Sequence, residues 1–127
     1  MENLRIEATI VTPEVDFNCE TNRLKIAGES YPENVTAFFE PIVAWLKEYL
    51  ASGSGRAIEV DIELIMFNSS TSKMLMDVLF MLDEASENEG MITLNWRYDA
   101  DNDMVEMFAE DFDEDFAGLT VNQVVTS

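Results

Sequence analysis

Four hydroxyl side chains in succession, Ser69-Ser70-Thr71-Ser72, stand between Asn68 and Lys73, where an apolar run ending at Phe67 gives way to a helical pattern. Asn and Ser at such a boundary cap a helix, because their side-chain oxygens accept from backbone N–H groups that have no partner inside it. One cap is all a helix start requires, so four hydroxyls exceed the need. The chemistry open to the surplus is phosphorylation. A phosphoryl group there would meet free N–H donors and the positive end of the helix dipole, with Lys73 one turn away, and the helix would tolerate it.

Other chemistries have less to stand on. Asp99, Asp101, Asp103 and Glu110 occupy positions one, three, five and twelve of a calcium-loop template, but Met104 sits where the template requires glycine, and Phe108 carries a helical stripe through the supposed loop. An acidic helix start is the better reading, and no metal or cofactor is expected. From Asp99 to Asp115 there are nine carboxylates and no cation. No basic group is interleaved to tune them for acid–base work, which weakens a carboxylate-based hydrolase and leaves a solvated or partner-docking face. Histidine is absent and Cys19 is the only cysteine. The commonest general base, both familiar nucleophilic triads and any intrachain disulfide are thereby removed. Eight methionines, among them Met66, Met74, Met76 and Met81 around the hydroxyl run, suit core filling and adaptable binding surfaces alike.

Periodicity supplies the elements that must position these residues. Leu4 to Ile10, Arg23 to Ala27, Ile58 to Leu64 and Ile92 to Tyr98 alternate apolar and polar positions, as strands with one wet face do. In the third of these, Glu59, Asp61 and Glu63 share the wet face. Helical spacing runs from about Pro32 to Leu50, from about Ser70 to Glu87, and onward from Asp101 or Asp103 through Met104, Phe108, Phe112 and Phe116. Ser30 and Glu33 have the spacing of a capping box for the first helix, with Pro32 in its first turn, and Pro41 predicts a kink or break within it. A last strand fits Leu119 to Val125. Strands buried on both faces would read as continuous apolar runs, so helices are expected on one face only of an α/β sheet.

The 127 residues suffice for one core and fit a single domain spanning residues 1–127. Seven basic against 26 acidic residues give a net charge of −19, which disfavours nucleic acid and anionic lipid as partners. No apolar run approaches a membrane span and the first residues do not resemble a signal peptide, so direct membrane insertion is not expected. A reduced cytoplasm fits the lone cysteine. These features together point to a binding protein rather than an enzyme.

Four segments then carry a resemblance: Ser30-Tyr31-Pro32-Glu33-Asn34 before the first helix, Phe67-Asn68-Ser69-Ser70 with Lys73, Trp96-Arg97-Tyr98-Asp99 closing a strand, and Glu110-Asp111-Phe112. In this order and spacing the chain resembles the SiaC family of bacterial regulatory phosphoproteins, related in fold to STAS-domain anti-sigma factor antagonists such as SpoIIAA. The resemblance implies a STAS-like domain, a mixed β-sheet with helices packed on one face. It further implies a switch in cyclic-di-GMP signalling, the kind that controls biofilm formation and aggregation. On that resemblance, a Ser/Thr kinase is expected to phosphorylate the turn and a metal-dependent Ser/Thr phosphatase to reset it. The unphosphorylated form is then expected to bind and activate a diguanylate cyclase. Carried over by position, the acceptor is Ser69, with Ser70 and Thr71 as alternatives because Thr71-Ser72 before Lys73 departs from the commoner pattern. Asn68 and Lys73 shape the turn, and Met66, Phe67, Ser70, Met74 and Asp77 are expected to contact partners. The rival reading is a constitutive scaffold, like an anti-sigma factor antagonist, in which the turn is merely a cap.

Overall fold

In the computed structural model, which describes residues 1–126, six strands form one sheet. They are β1 (Leu4–Ile6), β2 (Glu14–Asn18), β3 (Arg23–Ser30), β4 (Ala57–Phe67), β5 (Met91–Tyr98) and β6 (Thr120–Val125), and they lie side by side in chain order. The first three pair antiparallel and the last four run parallel, so the sheet is mixed. Parallel neighbours need long crossovers. These are α1 (Val35–Ala51), α2 (Ser69–Ala85), and a pair of short helices, α3 (Asp103–Phe108) and α4 (Phe112–Asp115). Right-handed crossovers that all step in one direction place their helices on one face. Burial agrees: Ile58, Val60, Ile62 and Leu64 of β4 are buried, whereas Glu59, Asp61 and Glu63 between them are half-exposed.

The uncovered face is a polar lattice. One row of cross-strand neighbours reads Arg5, Asp16, Lys25, Asp61, Asn95 and Asn122 across all six strands. Arg97 pairs with Asp61 at 3.2 Å, Arg23 with Glu59 at 3.1 Å and Lys25 with Glu14 at 3.0 Å. Exposed pairs of this kind contribute at most about 1 kcal/mol each and serve register more than stability.

Several elements differ from their sequence-based expectation. The first strand ends at Ile6, and Ile10 is 83% exposed. Thr9 Oγ1 accepts from the N–H groups of Val11 and Thr12, turning the chain away from the sheet. β2 went unread because it carries just two inward residues, Val15 and Phe17. Pro41 does not break α1, which runs continuously from Val35 to Ala51. Pro41 is exposed, so the carbonyl it leaves unpaired faces solvent. The capping box is also corrected: Asn34 caps α1 by accepting from the Ala37 N–H at 3.1 Å, while Ser30 ends β3 fully buried. The third helix is split in two. Glu110 and Asp111 fall at the negative end of the α3 dipole with no cation to offset them, which disfavours continuing the helix. The Phe spacing nevertheless does its work, since Phe108 and Phe112 pack on Trp96 with ring centroids 5.6 and 5.2 Å away.

The link from α4 to β6 is held by Asp83 of α2, whose Oδ1 accepts from the N–H groups of Gly118 and Leu119 at 2.7 and 3.2 Å. A Cβ on Gly118 would collide with Ser86 Oγ and stand 3.0 Å from the Asp83 carbonyl oxygen. Gly118→Ala should therefore lower stability by about 1–3 kcal/mol, read as a shifted urea midpoint at unchanged slope.

Candidate functional site at the start of the second helix

The irregularity that shapes this region lies in β4. Gly28 pairs with Leu64 but Glu29 pairs with Met66, so Ile65 is an extra residue on β4. Such a bulge shifts the in–out alternation by one position. Leu64 is 2% exposed, Ile65 61%, Met66 52% and Phe67 9%. Two apolar residues therefore face solvent together, and Phe67 turns inward against Phe108, with ring centroids 5.0 Å apart. Gly28 meets the bulge with φ of 126°, in a region that side chains strongly disfavour. The Ile65 carbonyl accepts a hydrogen bond from Asn102 Nδ2 at 2.8 Å, and Asn102 Oδ1 in turn caps α3 by accepting from the Val105 N–H. Asn102 so fixes α3 beside the start of α2. Its signal in the sequence was a cap residue ahead of an acidic first turn.

Asn68 is the N-cap of α2, accepting from the Thr71 N–H at 2.9 Å. The four hydroxyls then separate by what they touch. Thr71 is fully buried, its Oγ1 donating to the Ser30 carbonyl and lying 3.0 Å from Ser30 Oγ. It is thus a buttress between β3 and α2, not an accessible acceptor. Ser70 Oγ donates to Asn68 Oδ1 at 3.1 Å, and Ser72 Oγ to the Ser69 carbonyl at 2.7 Å. The Ser69 hydroxyl is exposed and has no hydrogen-bond partner among the described residues. Ser69 is also the first residue of α2, and the N–H groups of Ser69 and Ser70 have no acceptor among the described residues. Lys73, one turn on, is exposed and makes no ion pair among them.

Beside Ser69 lies a shallow depression of about 380 Å³, lined by Phe67, Asn68, Ser69, Ser72, Met104, Met107 and Phe108. Met104 and Met107 are 48% and 66% exposed. Met104 and Phe108 belong to the helical spacing legible in the sequence, whereas Met107 lies off that spacing. The expected partner contacts are divided. Met66, Ser70 and Asp77 are exposed, Met74 is half-buried in a groove with Val43 and Lys47 of α1, and Phe67 is buried at the edge of the depression. Met74 thus faces α1, while the depression joins Ser69 and Phe67 to Met104 and Met107.

The structure is thus a small α/β protein with a mixed sheet, one helical face, and an accessible serine at a capped helix start beside exposed methionines. The chain matches the SiaC family of regulatory phosphoproteins over residues 6–126, and it belongs to that family. It is 37% identical over 115 residues to an uncharacterised protein of Pseudomonas aeruginosa, covering 91% of this chain and 90% of that one. The crystal structure of apo-SiaC from Pseudomonas aeruginosa is similar with a TM-score of 0.84 and 32% identity, covering all of both chains. A chain in the crystal structure of the diguanylate cyclase SiaD with its activator SiaC, also from Pseudomonas aeruginosa, is similar with a TM-score of 0.88 and 34% identity. That match covers 97% of this chain and 99% of the other. Among the described residues, no helix is long and apolar enough to cross a membrane.

Proposed function

We propose that this chain is a phosphorylation-switched, non-enzymatic activator of a bacterial diguanylate cyclase, working in the cytoplasm, with Ser69 as its phosphoacceptor. The observation that carries the reading is the state of the Ser69 hydroxyl: exposed, unpartnered among the described residues, and next to a methionine-lined depression. Ser70 spends its hydroxyl on Asn68 and Thr71 is buried, so neither competes well as a kinase substrate. The two free N–H groups at the helix start and Lys73 give a phosphate on Ser69 local support. The adjacent apolar surface supplies the opposite preference, since a partner seated there would have to desolvate the phosphate. Support for the cyclase as partner comes from the SiaC relative, which is the activator of such an enzyme. A Ser/Thr kinase would set the switch and a metal-dependent Ser/Thr phosphatase would reset it.

Intact mass and peptide mapping of the protein from its own cells, before and after phosphatase treatment, test the acceptor. One phosphate on Ser69, absent from a Ser69→Ala variant incubated with the cognate kinase, is the expected result. Full modification of Ser69→Ala would refute the assignment. No phosphate under any growth condition would favour the constitutive scaffold, for which the Asn68 cap is already complete without modification.

A further inference from the structure

β6 closes the sheet on one side and carries no charge, no proline and no bulge along Thr120–Val125. Edge strands are ordinarily blunted by one of these devices, because their free backbone groups invite another strand. The Thr126 N–H donates to the Tyr98 carbonyl at 2.8 Å. The alternation of a parallel ladder then turns the backbone of Thr120, Asn122 and Val124 toward β5 and that of Val121, Gln123 and Val125 toward the open side. Val125 is 53% exposed. On the helical side of this edge lies a recess of about 470 Å³ lined by Tyr98, Glu106, Met107, Glu110 and Gln123. Glu106 lies in α3 and Glu110 in the turn just after it, and neither has a cationic partner among the described residues.

We infer that the open edge of β6 is a second docking site, which takes an extended, Arg- or Lys-rich segment of a partner protein as a seventh strand. Backbone hydrogen bonds to Val121, Gln123 and Val125 would supply pairing, and a basic side chain pointing to the helical face would enter the Glu106–Glu110 recess beside the Tyr98 ring. Charge selects this occupant over a second copy of the chain. Pairing β6 with another β6 would bring together two acidic segments, each with nine carboxylates between Asp99 and Asp115. Met107 lines both this recess and the depression beside α2, but β6 contributes no residue to the latter, so shifts along Val121–Val125 report on the edge and not on the Ser69 surface.

The probe is a fluorescent peptide of alternating valine and arginine, titrated by anisotropy and mapped by amide chemical shifts. Two derivatives, N-methylated on one or the other alternate set of amides, separate strand pairing from general attraction to an acidic protein. Methylating the set that faces β6 should weaken binding by about tenfold or more through its lost hydrogen bonds, while methylating the other set leaves it near the parent value. Glu106→Gln with Glu110→Gln, a change confined to exposed side chains, should weaken the parent peptide and flatten its salt dependence. Equal binding by both methylated peptides, or shifts confined to α2 or to the uncovered sheet face, would overturn the inference. A concentration-dependent dimer that the peptide cannot dissociate would overturn it in favour of self-pairing.

Discussion

Under the proposed switch, Ser69→Asp should cost the protein about a hundredfold in affinity for a diguanylate cyclase partner while leaving its own fold as stable as before or slightly more so. The two halves of that expectation have opposite electrostatic origins. Ser69 is the first residue of α2, where a negative charge meets the positive end of the helix dipole and two free N–H groups. An acidic group at that position stabilises a helix by about 0.3–1 kcal/mol. Once a partner covers the depression, the same charge must shed water against Phe67, Met104, Met107 and Phe108. Burying an uncompensated charge costs several kcal/mol, and a loss of about 2.8 kcal/mol corresponds to the hundredfold. Phosphoserine, with about −1.5 to −2 charge at neutral pH, should act more strongly still. Thermal unfolding and calorimetric titration of the same variant check both halves. Retained affinity would remove the switch. Lost stability with lost affinity would show that the substitution had simply damaged the helix.

At the other end of the sheet, Arg56→Met should destabilise the protein by about 3 kcal/mol, or roughly 10 °C in melting temperature. Arg56 Nη2 meets Glu89 Oε1 at 2.6 Å and also donates to the Tyr49 carbonyl at 3.0 Å, while the guanidinium lies 4.2 Å from the Tyr49 ring centroid. The Glu89 side chain is 1% exposed. Burial pushes the Glu89 carboxyl upward, yet hydrogen bonds from the Arg56 side chain and backbone N–H outweigh it and hold the carboxyl below its ordinary value. A carboxyl depressed in the folded state contributes its stability in full above the unfolded value of about 4.3 and loses it as pH falls through the lower folded value. In Arg56→Met the burial remains and most of the compensation is gone, so Glu89 should titrate above its ordinary value. The sign then reverses, and the variant should gain stability relative to the native protein as pH falls from neutral toward 5. Urea midpoints across that range decide it, and a pH-independent difference would mean that the carboxylate finds another partner. Arg56 and Glu89 lie outside the depression beside Ser69, so the folded variant should keep that surface intact at low temperature.

The long alternating runs of β3, β4 and β5 and the spaced apolar stripes of α1 and α2 were legible because each offers several repeats of one period. β2 was lost for want of repeats, and the split of α3 from α4 because spacing registers the Phe stripe but not the charge that opposes a continuous helix. At the candidate site, residue type exposed the hydroxyl run, and the family resemblance pointed to Ser69. Neither distinguishes an exposed serine from a buried threonine two positions away. That distinction depends on Ser30, which is 41 residues from Thr71 in sequence and 3.0 Å from it in space. Met107 and Asn102 escaped for the same reason, since their roles arise from contacts across elements.

The extra residue in β4 carries a consequence of its own. Up to Leu64, odd and even positions decide which side chains are dry, and Ile65 inverts that parity just before the chain enters α2. The apolar pair outside and the phenylalanine beneath are thus encoded in a count of residues more than in their identities. Substitutions at Ile65 or Met66 would alter the texture of this surface but leave it in place. Losing one residue there would remove the bulge and restore plain alternation, leaving a single apolar side chain outside while Phe67 stays inward. The doubled apolar patch is therefore a product of chain length in β4, and one residue fewer would halve it without unseating the phenylalanine below.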